Sequence, residues 1–235
     1  MKNFFVILGG MGTKATESFV RLLNNNTPAK KDQEYLNYIL MNHATIPDRT
    51  AYLLGVSDDN PLIPLSEDVK QMNQLAPDFF VLTCNTAHRF YDELQAQSQS
   101  PILHMPRLAA KKVVDSFDRP APIKVGILAT TGTIKTGVYE EALGFYPQLQ
   151  PVLPSADLQE EVMTLIYRDI KEANFMNTEL FYKILDEMKT VYQCDAIILG
   201  CTELSLIAEK LDLSSYQVVD AQLELVYEAI KLSNK

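Results

Sequence analysis

Two cysteines carry the residue types and spacing that could do chemistry. Cys84 closes the run Asp78-Phe-Phe-Val-Leu-Thr-Cys84, and Cys201 closes Asp195-Ala-Ile-Ile-Leu-Gly-Cys201, 117 residues later. Each follows an apolar run of strand length and precedes a helical pattern. Ala87, Phe90, Tyr91 and Leu94 fall at i, i+3, i+4 and i+7, and Leu204, Ile207, Ala208 and Leu211 repeat that spacing. A thiol where a strand ends and a helix begins meets N–H groups and the positive end of the helix dipole. Its pKa is then expected to fall below the usual value of about 8.5, and both cysteines are expected to act as bases or nucleophiles. Two thiols on opposite sides of one carbon would do a definite chemistry. One removes a proton, the other delivers a proton to the opposite face, and the carbon is inverted. Cys194 precedes its strand and is expected to be structural.

Polar residues surround the pair. Asn85, Thr86 and His88 follow the first cysteine; Thr202 and Glu203 follow the second. Such side chains cap helices and can also bind a carboxylate. Cys84 and His88 are four residues apart, but three Cys and three His form no second compact cluster, so no metal site is expected. Gly10-Met-Gly12-Thr-Lys-Ala15 has the outline of a dinucleotide fingerprint. The second strand ends near Asn42 and His43 rather than at an acidic residue, so this loop is read as a tight turn whose N–H groups face an anion. Arg49, in Ile46-Pro-Asp-Arg49, is expected at the same sheet edge as Cys84, with a guanidinium shaped for a carboxylate. Thr130, Thr131 and Thr133 hold the place of the glycine loop in the second half and either cap the next helix or bind ligand. Taken alone, Lys171 reads as a solvated helix residue.

Alternating elements must position these residues. Strands are expected at Phe4–Leu8, Tyr35–Met41, Phe79–Thr83, Ile102–His104, Lys124–Ala129, Gln150–Leu153, Ala196–Leu199 and Gln217–Val219. Helices are expected at Ala15–Leu23, Ser66–Leu75, Ala87–Ala96, Leu108–Phe117, Ile134–Leu143, Leu158–Glu172, Glu179–Tyr192, Leu204–Leu211 and Ala221–Ile230, with loops at Asp58–Pro64 and Arg119–Pro122. Such alternation implies an α/β fold with parallel sheets. The opening strands repeat as well, Leu128 lying 120 residues after Leu8. The expectation is two similar doubly wound parallel-sheet domains related by a pseudo-twofold repeat, with the site in the interdomain cleft. The first would span residues 1–105 plus 214–235, the last helix returning to it, and the second residues 106–213.

Composition narrows the partners. The 235 residues carry a formal net charge of −9, which argues against a basic nucleic-acid footprint and for a small-molecule partner. The start lacks a signal-peptide pattern and no apolar run reaches the length of a membrane span. Three cysteines fit a reducing compartment. A cytoplasmic protein without membrane association is expected.

The chain resembles the aspartate/glutamate racemase family over nearly its whole length. The pieces are Gly9-Gly-Met-Gly-Thr-Lys-Ala-Thr16, Ile46-Pro-Asp-Arg49, Cys84-Asn-Thr-Ala-His88, Leu128-Ala-Thr-Thr-Gly-Thr133, Ile166-Tyr-Arg-Asp-Ile-Lys171 and Leu199-Gly-Cys-Thr-Glu-Leu204. Two departures stand out: Thr13 where the family usually has Pro, and Glu172-Ala-Asn174 where a glycine is frequent. Glutamate racemases proper resemble the chain less, since they usually carry a His where Glu203 stands. The resemblance implies a homodimeric, cofactor-independent (PLP-independent) racemase of aspartate or glutamate, with Cys84 and Cys201 as the two acid/bases. It implies that Asn85, Thr86, Thr130 and Thr202 bind the α-carboxylate or ammonium, and that Arg49 and Lys171 bind the side-chain carboxylate. The alternatives are another two-cysteine member acting on glutamate, hydantoins, arylmalonates or maleate, a non-catalytic acidic amino-acid binding protein, and a thiol redox protein.

Overall fold

The computed structural model describes residues 1–118 and 122–233. Its first sheet holds β1 (Phe5–Gly9), β2 (Tyr38–Asn42), β3 (Phe80–Leu82) and β4 (Ile102–Leu103), all parallel, in the order β2-β1-β3-β4. Its second holds β5 (Ile123–Ala129), β6 (Leu149–Val152), β7 (Ala196–Gly200) and β8 (Val218–Asp220), also parallel, in the order β6-β5-β7-β8. Each of the expected strands is present, and the two sheets share one topology. The register carries the repeat down to single residues. Leu8 pairs with Leu82, and their counterparts Leu128 and Leu199 pair with each other. β1 and β7 are buried along their whole length, as central strands of parallel sheets covered on both faces must be.

The helices are α1 (Thr13–Asn26), α2 (Arg49–Leu53), α3 (Leu62–Asn73), α4 (Tyr91–Gln95), α5 (Met105–Asp115), α6 (Thr131–Thr136), α7 (Val138–Gly144), α8 (Ala156–Met163), α9 (Thr178–Thr190), α10 (Thr202–Ala208) and α11 (Ala221–Ser233). Several differ from expectation. The helix expected over Ile134–Leu143 starts earlier and breaks at Gly137 into α6 and α7. The one expected over Leu158–Glu172 is α8 continued by a π-helical segment, Thr164–Glu172. The helix after Cys84 begins as a 3-10 turn, Thr86–Phe90, before α4. The loop expected over Asp58–Pro64 ends early because α3 starts at Leu62, with Pro64 in its first turn, where a missing N–H costs no helical bond. The Arg119–Pro122 loop, apart from Pro122, lies outside the described residues.

The chain forms two compact units, Met1–Met105 with Gln222–Lys235, and Pro106–Ala221. The boundary expected at 213/214 therefore moves. β8 hydrogen-bonds to β7 in the second sheet, with Ile197 paired to Val218, so only α11 returns to the first unit. Among the described residues, no helix is long and apolar enough to cross a membrane.

Candidate active site

Every residue expected to do chemistry lies at or beyond the carboxyl end of a strand or on a helix behind it, the region where parallel sheets build ligand sites. In the first unit the loop after β1 is shaped by close approach. Gly10 has φ +92°, and a Cβ there would lie 2.4 Å from the backbone of His43, just past the end of β2. The Gly10 N–H donates to Thr16 Oγ1 at 2.9 Å, and Thr16 Oγ1 lies 3.3 Å from Thr83 Oγ1, just before Cys84. The Gly10 N–H, one of the loop donors expected to face an anion, is thus engaged by Thr16 of α1. His43 Nδ1 contacts the Asp68 carboxylate at 2.9 and 3.0 Å.

Arg49 opens α2, a helix absent from the sequence expectation because Pro47-Asp48 reads as a turn. Asp48 is its cap, accepting from the Ala51 N–H at 2.8 Å. Arg49 is buried. Its Nη1 donates to the carbonyls of Ile46 (3.4 Å) and Pro47 (3.0 Å), and its Nη2 to that of Met11 (2.7 Å). It therefore ties the loop after β2 to the loop after β1.

Cys84, Asn85 and Thr86 are buried together at the end of β3. His88, also buried, has Nδ1 2.8 Å from the Cys84 carbonyl, while its Nε2 lies 3.1 Å from the Met105 N–H. An N–H can only donate, so Nε2 accepts and Nδ1 carries the proton. Burial pushes the His88 pKa down to about 4, which keeps the ring neutral in this role. His88 holds the Cys84 backbone and the first N–H of α5.

In the second unit Thr130 caps α6, its Oγ1 accepting from the Thr133 N–H at 3.2 Å. Gln159 on α8 donates to the Ala129 carbonyl at 2.9 Å, fixing the end of β5. Cys201 precedes α10 and is buried. Its Sγ lies 3.0 Å from Glu203 Oε2, to which Thr202 Oγ1 also points at 3.4 Å. Glu203 Oε1 lies 3.7 Å from Lys171 Nζ, which sits 4.2 Å from the centre of the Tyr167 ring. The structure thus brings Lys171, Cys201, Thr202 and Glu203 together. The lowered pKa expected at Cys201 is corrected. Burial and then the Glu203 charge push the thiol well above its ordinary value, against an opposing pull from Lys171.

Tyr139 and Asp220 join this group without a sequence motif to announce them. Tyr139 on α7 packs against the strand end before Cys201. A Cβ on Gly200 would meet its ring at 2.7 Å, which explains why Gly stands here and Thr83 at the equivalent place in the first unit. Burial, then Asp220 and Cys201, raise the Tyr139 pKa well above its usual value, so the phenol is neutral. Asp220 accepts from Ser205 Oγ at 2.7 Å. In the sequence, Gly200 reads only as the residue between the expected strand Ala196–Leu199 and Cys201. Among the described residues, no group of three or more His, Cys, Asp or Glu could hold a metal ion.

Known proteins resemble this chain over much of its length. The family model described as Asp/Glu/Hydantoin racemase matches residues 8–229. A similar protein is the broad specificity amino-acid racemase RacX of Bacillus subtilis (strain 168), 27% identical over 222 residues that cover 92% of this chain and 91% of that one. A glutamate racemase of Lysinibacillus sphaericus (strain C3-41) is 28% identical over 177 residues, 71% of this chain, and the match spans 64% of its length. Among solved structures, the aspartate racemase of Picrophilus torridus is similar with a TM-score of 0.81 and 28% identity, covering 99% of this chain and 94% of that one.

Proposed function

The chain belongs to the Asp/Glu/hydantoin racemase family, an isomerase acting on amino acids, and we propose that it interconverts L- and D-aspartate, or glutamate, by two-base proton transfer between Cys84 and Cys201. The observation that carries this reading is the equivalence of the two thiols. Each stands just beyond the third strand of its own sheet, in sheets of one topology and one register. A symmetric task, taking and giving a proton at one carbon, asks for symmetric groups. One cysteine is thiolate while the other is thiol, so the pair titrates as a unit.

Asn85, Thr86, Thr130 and Thr202 supply short polar side chains beside the two sulfurs for the α-carboxylate and ammonium. Arg49 and Lys171 supply the cations for the side-chain carboxylate. No cofactor is invoked, so the carbanion-like transition state is stabilised by aimed donors from the two strand–helix junctions. The cytoplasmic location and homodimeric assembly implied by the resemblance are part of the same reading.

A second reading, a racemase of wider range, is supported by the ion pair of Lys171 with Glu203. A cation already matched by a carboxylate of the chain itself is a weaker selector for a diacid than an isolated one.

Solvent deuterium incorporation at the α-carbon tests both. In heavy water, L- and D-aspartate are expected to exchange with inversion, with alanine and lysine slower. Equal exchange across all four substrates favours the wider range. Tight binding of aspartate with no exchange of any amino acid removes the racemase reading.

A further inference from the structure

Glu203 has no part in a transfer between two thiols, yet its carboxylate lies against one of them. Its carboxylate is buried and surrounded by groups that supply hydrogens or positive charge: Cys201 Sγ at 3.0 Å, Thr202 Oγ1 at 3.4 Å and Lys171 Nζ at 3.7 Å. An ionised carboxylate only accepts hydrogen bonds, so the contact with Cys201 keeps a proton on the sulfur. An ionised Cys201 would instead place two anions 3 Å apart in a buried setting, where like charges raise one another's pKa. The other groups facing Cys201 do not reverse this. Tyr139 from α7 is neutral, and Lys171 from the π-helical segment is shared with Glu203.

We propose that Glu203 sets the protonation state in which the enzyme waits, holding Cys201 as the thiol and leaving Cys84 as the thiolate that opens catalysis. The assignment deepens the two-cysteine reading and rests on it. From that state Cys84 takes the α-proton and becomes a thiol, and the C–H electron pair stays on the substrate. Cys201 then gives its proton to the opposite face and becomes a thiolate beside Glu203. The enzyme returns to rest when one proton leaves Cys84 for solvent and one is taken up by Cys201. Glu203 acts through Cys201 and is a positioning residue.

The test reads the thiols directly. The folded full-length protein is alkylated with iodoacetamide across a pH series, and each cysteine is followed by peptide mass spectrometry. Cys84 is expected to label at lower pH than Cys201. Glu203→Gln is expected to lower the labelling midpoint of Cys201 by about one pH unit or more and to leave that of Cys84 in place, with Glu203→Asp between. Should the Gln variant fail to fold, the Asp variant alone carries the comparison. An unchanged Cys201 midpoint in a folded variant, or Cys201 labelling before Cys84 in the parent, overturns the proposal. Labelling needs no turnover. A chain that shows the shift but does not exchange the α-proton of aspartate loses only the racemase reading; one that exchanges without the shift loses only this one.

Discussion

At the scale of single residues, the three cysteines are expected to separate into different roles. Cys84→Ser and Cys201→Ser are each expected to lower racemisation by about 10²-fold or more in both directions, the loss typical of a missing acid or base. Cys194→Ser is expected to leave turnover near that of the parent. Its thiol is pushed up to about 11, chiefly by burial, and it backs onto Gly126 of β5 rather than onto a strand's carboxyl end. Chiral chromatography of the products decides the matter, and near-normal turnover in either of the first two variants sinks the two-base assignment. His88 makes a second prediction. Its pKa is about 4 in the fold against 6.5 in an unfolded chain. Above pH 6.5 the ring is neutral in both states, and its full contribution to stability is present. As pH falls from 6.5 toward 4, the unfolded chain binds a proton that the folded chain refuses, so stability drops by up to about 1.4 kcal/mol per pH unit. Urea unfolding at pH 7, 6 and 5 is expected to show a shallower pH dependence for His88→Gln than for the parent. Equal dependence in both would remove the buried-neutral role.

At the scale of elements, the turn after the π-helical segment forms without the glycine that is frequent there in the family. Asn174, just past the segment, takes φ +51°, a left-handed conformation. Asn is the residue that tolerates it best after Gly, so the chain turns there without a glycine, and Lys171 reaches Glu203. Asn174→Gly is accordingly expected to stay within about 0.5 kcal/mol of the parent, whereas Asn174→Ala loses about 1 kcal/mol. Thermal unfolding of the two variants checks this; equal losses would mean that the backbone conformation is not what Asn174 supplies. Strand positions were legible in the sequence because buried parallel strands read as unbroken apolar runs bounded by Gly, Pro or Asp, as at Phe5–Gly9 and Ala196–Gly200. Helix character was less legible. Periodicity over Leu158–Glu172 is the same to the eye whether the backbone bonds are α or π, and the five residues of α2 are too few to show a period. The placement of candidate residues was legible where they sit on a motif, as with Cys84 and Cys201 just beyond β3 and β7. It was illegible where a contact joins distant segments. Nothing near Lys171 in sequence announces Glu203, and nothing near Tyr139 announces Gly200.

At the scale of the whole molecule, a net charge of −9 would have to admit the acidic substrate proposed above. On that proposal the resolution is local: buried Arg49 and partly buried Lys171 would each act within a few ångströms, while salt screens the distant carboxylates. The repeat explains the two units, and α11 is the segment that breaks its simple tandem order. It leaves β8, which belongs to the second sheet, and packs within the first unit. Gln222 Nε2 donates to Ser18 Oγ at 3.3 Å, and Leu225, Val226 and Ala229 are fully buried. Burial of the Leu and Val side chains contributes about 1.5–3 kcal/mol each, a large share of the stability of a domain of ordinary size. Truncation after Asp220 is therefore expected to loosen the first unit selectively. Amide hydrogen exchange is expected to quicken in β1 and β3, where Cys84 is held, while β5 and β7 keep their protection because both belong to the unit that α11 does not join. Uniform acceleration in both sheets, or none in either, would contradict the assignment of α11 to the first unit.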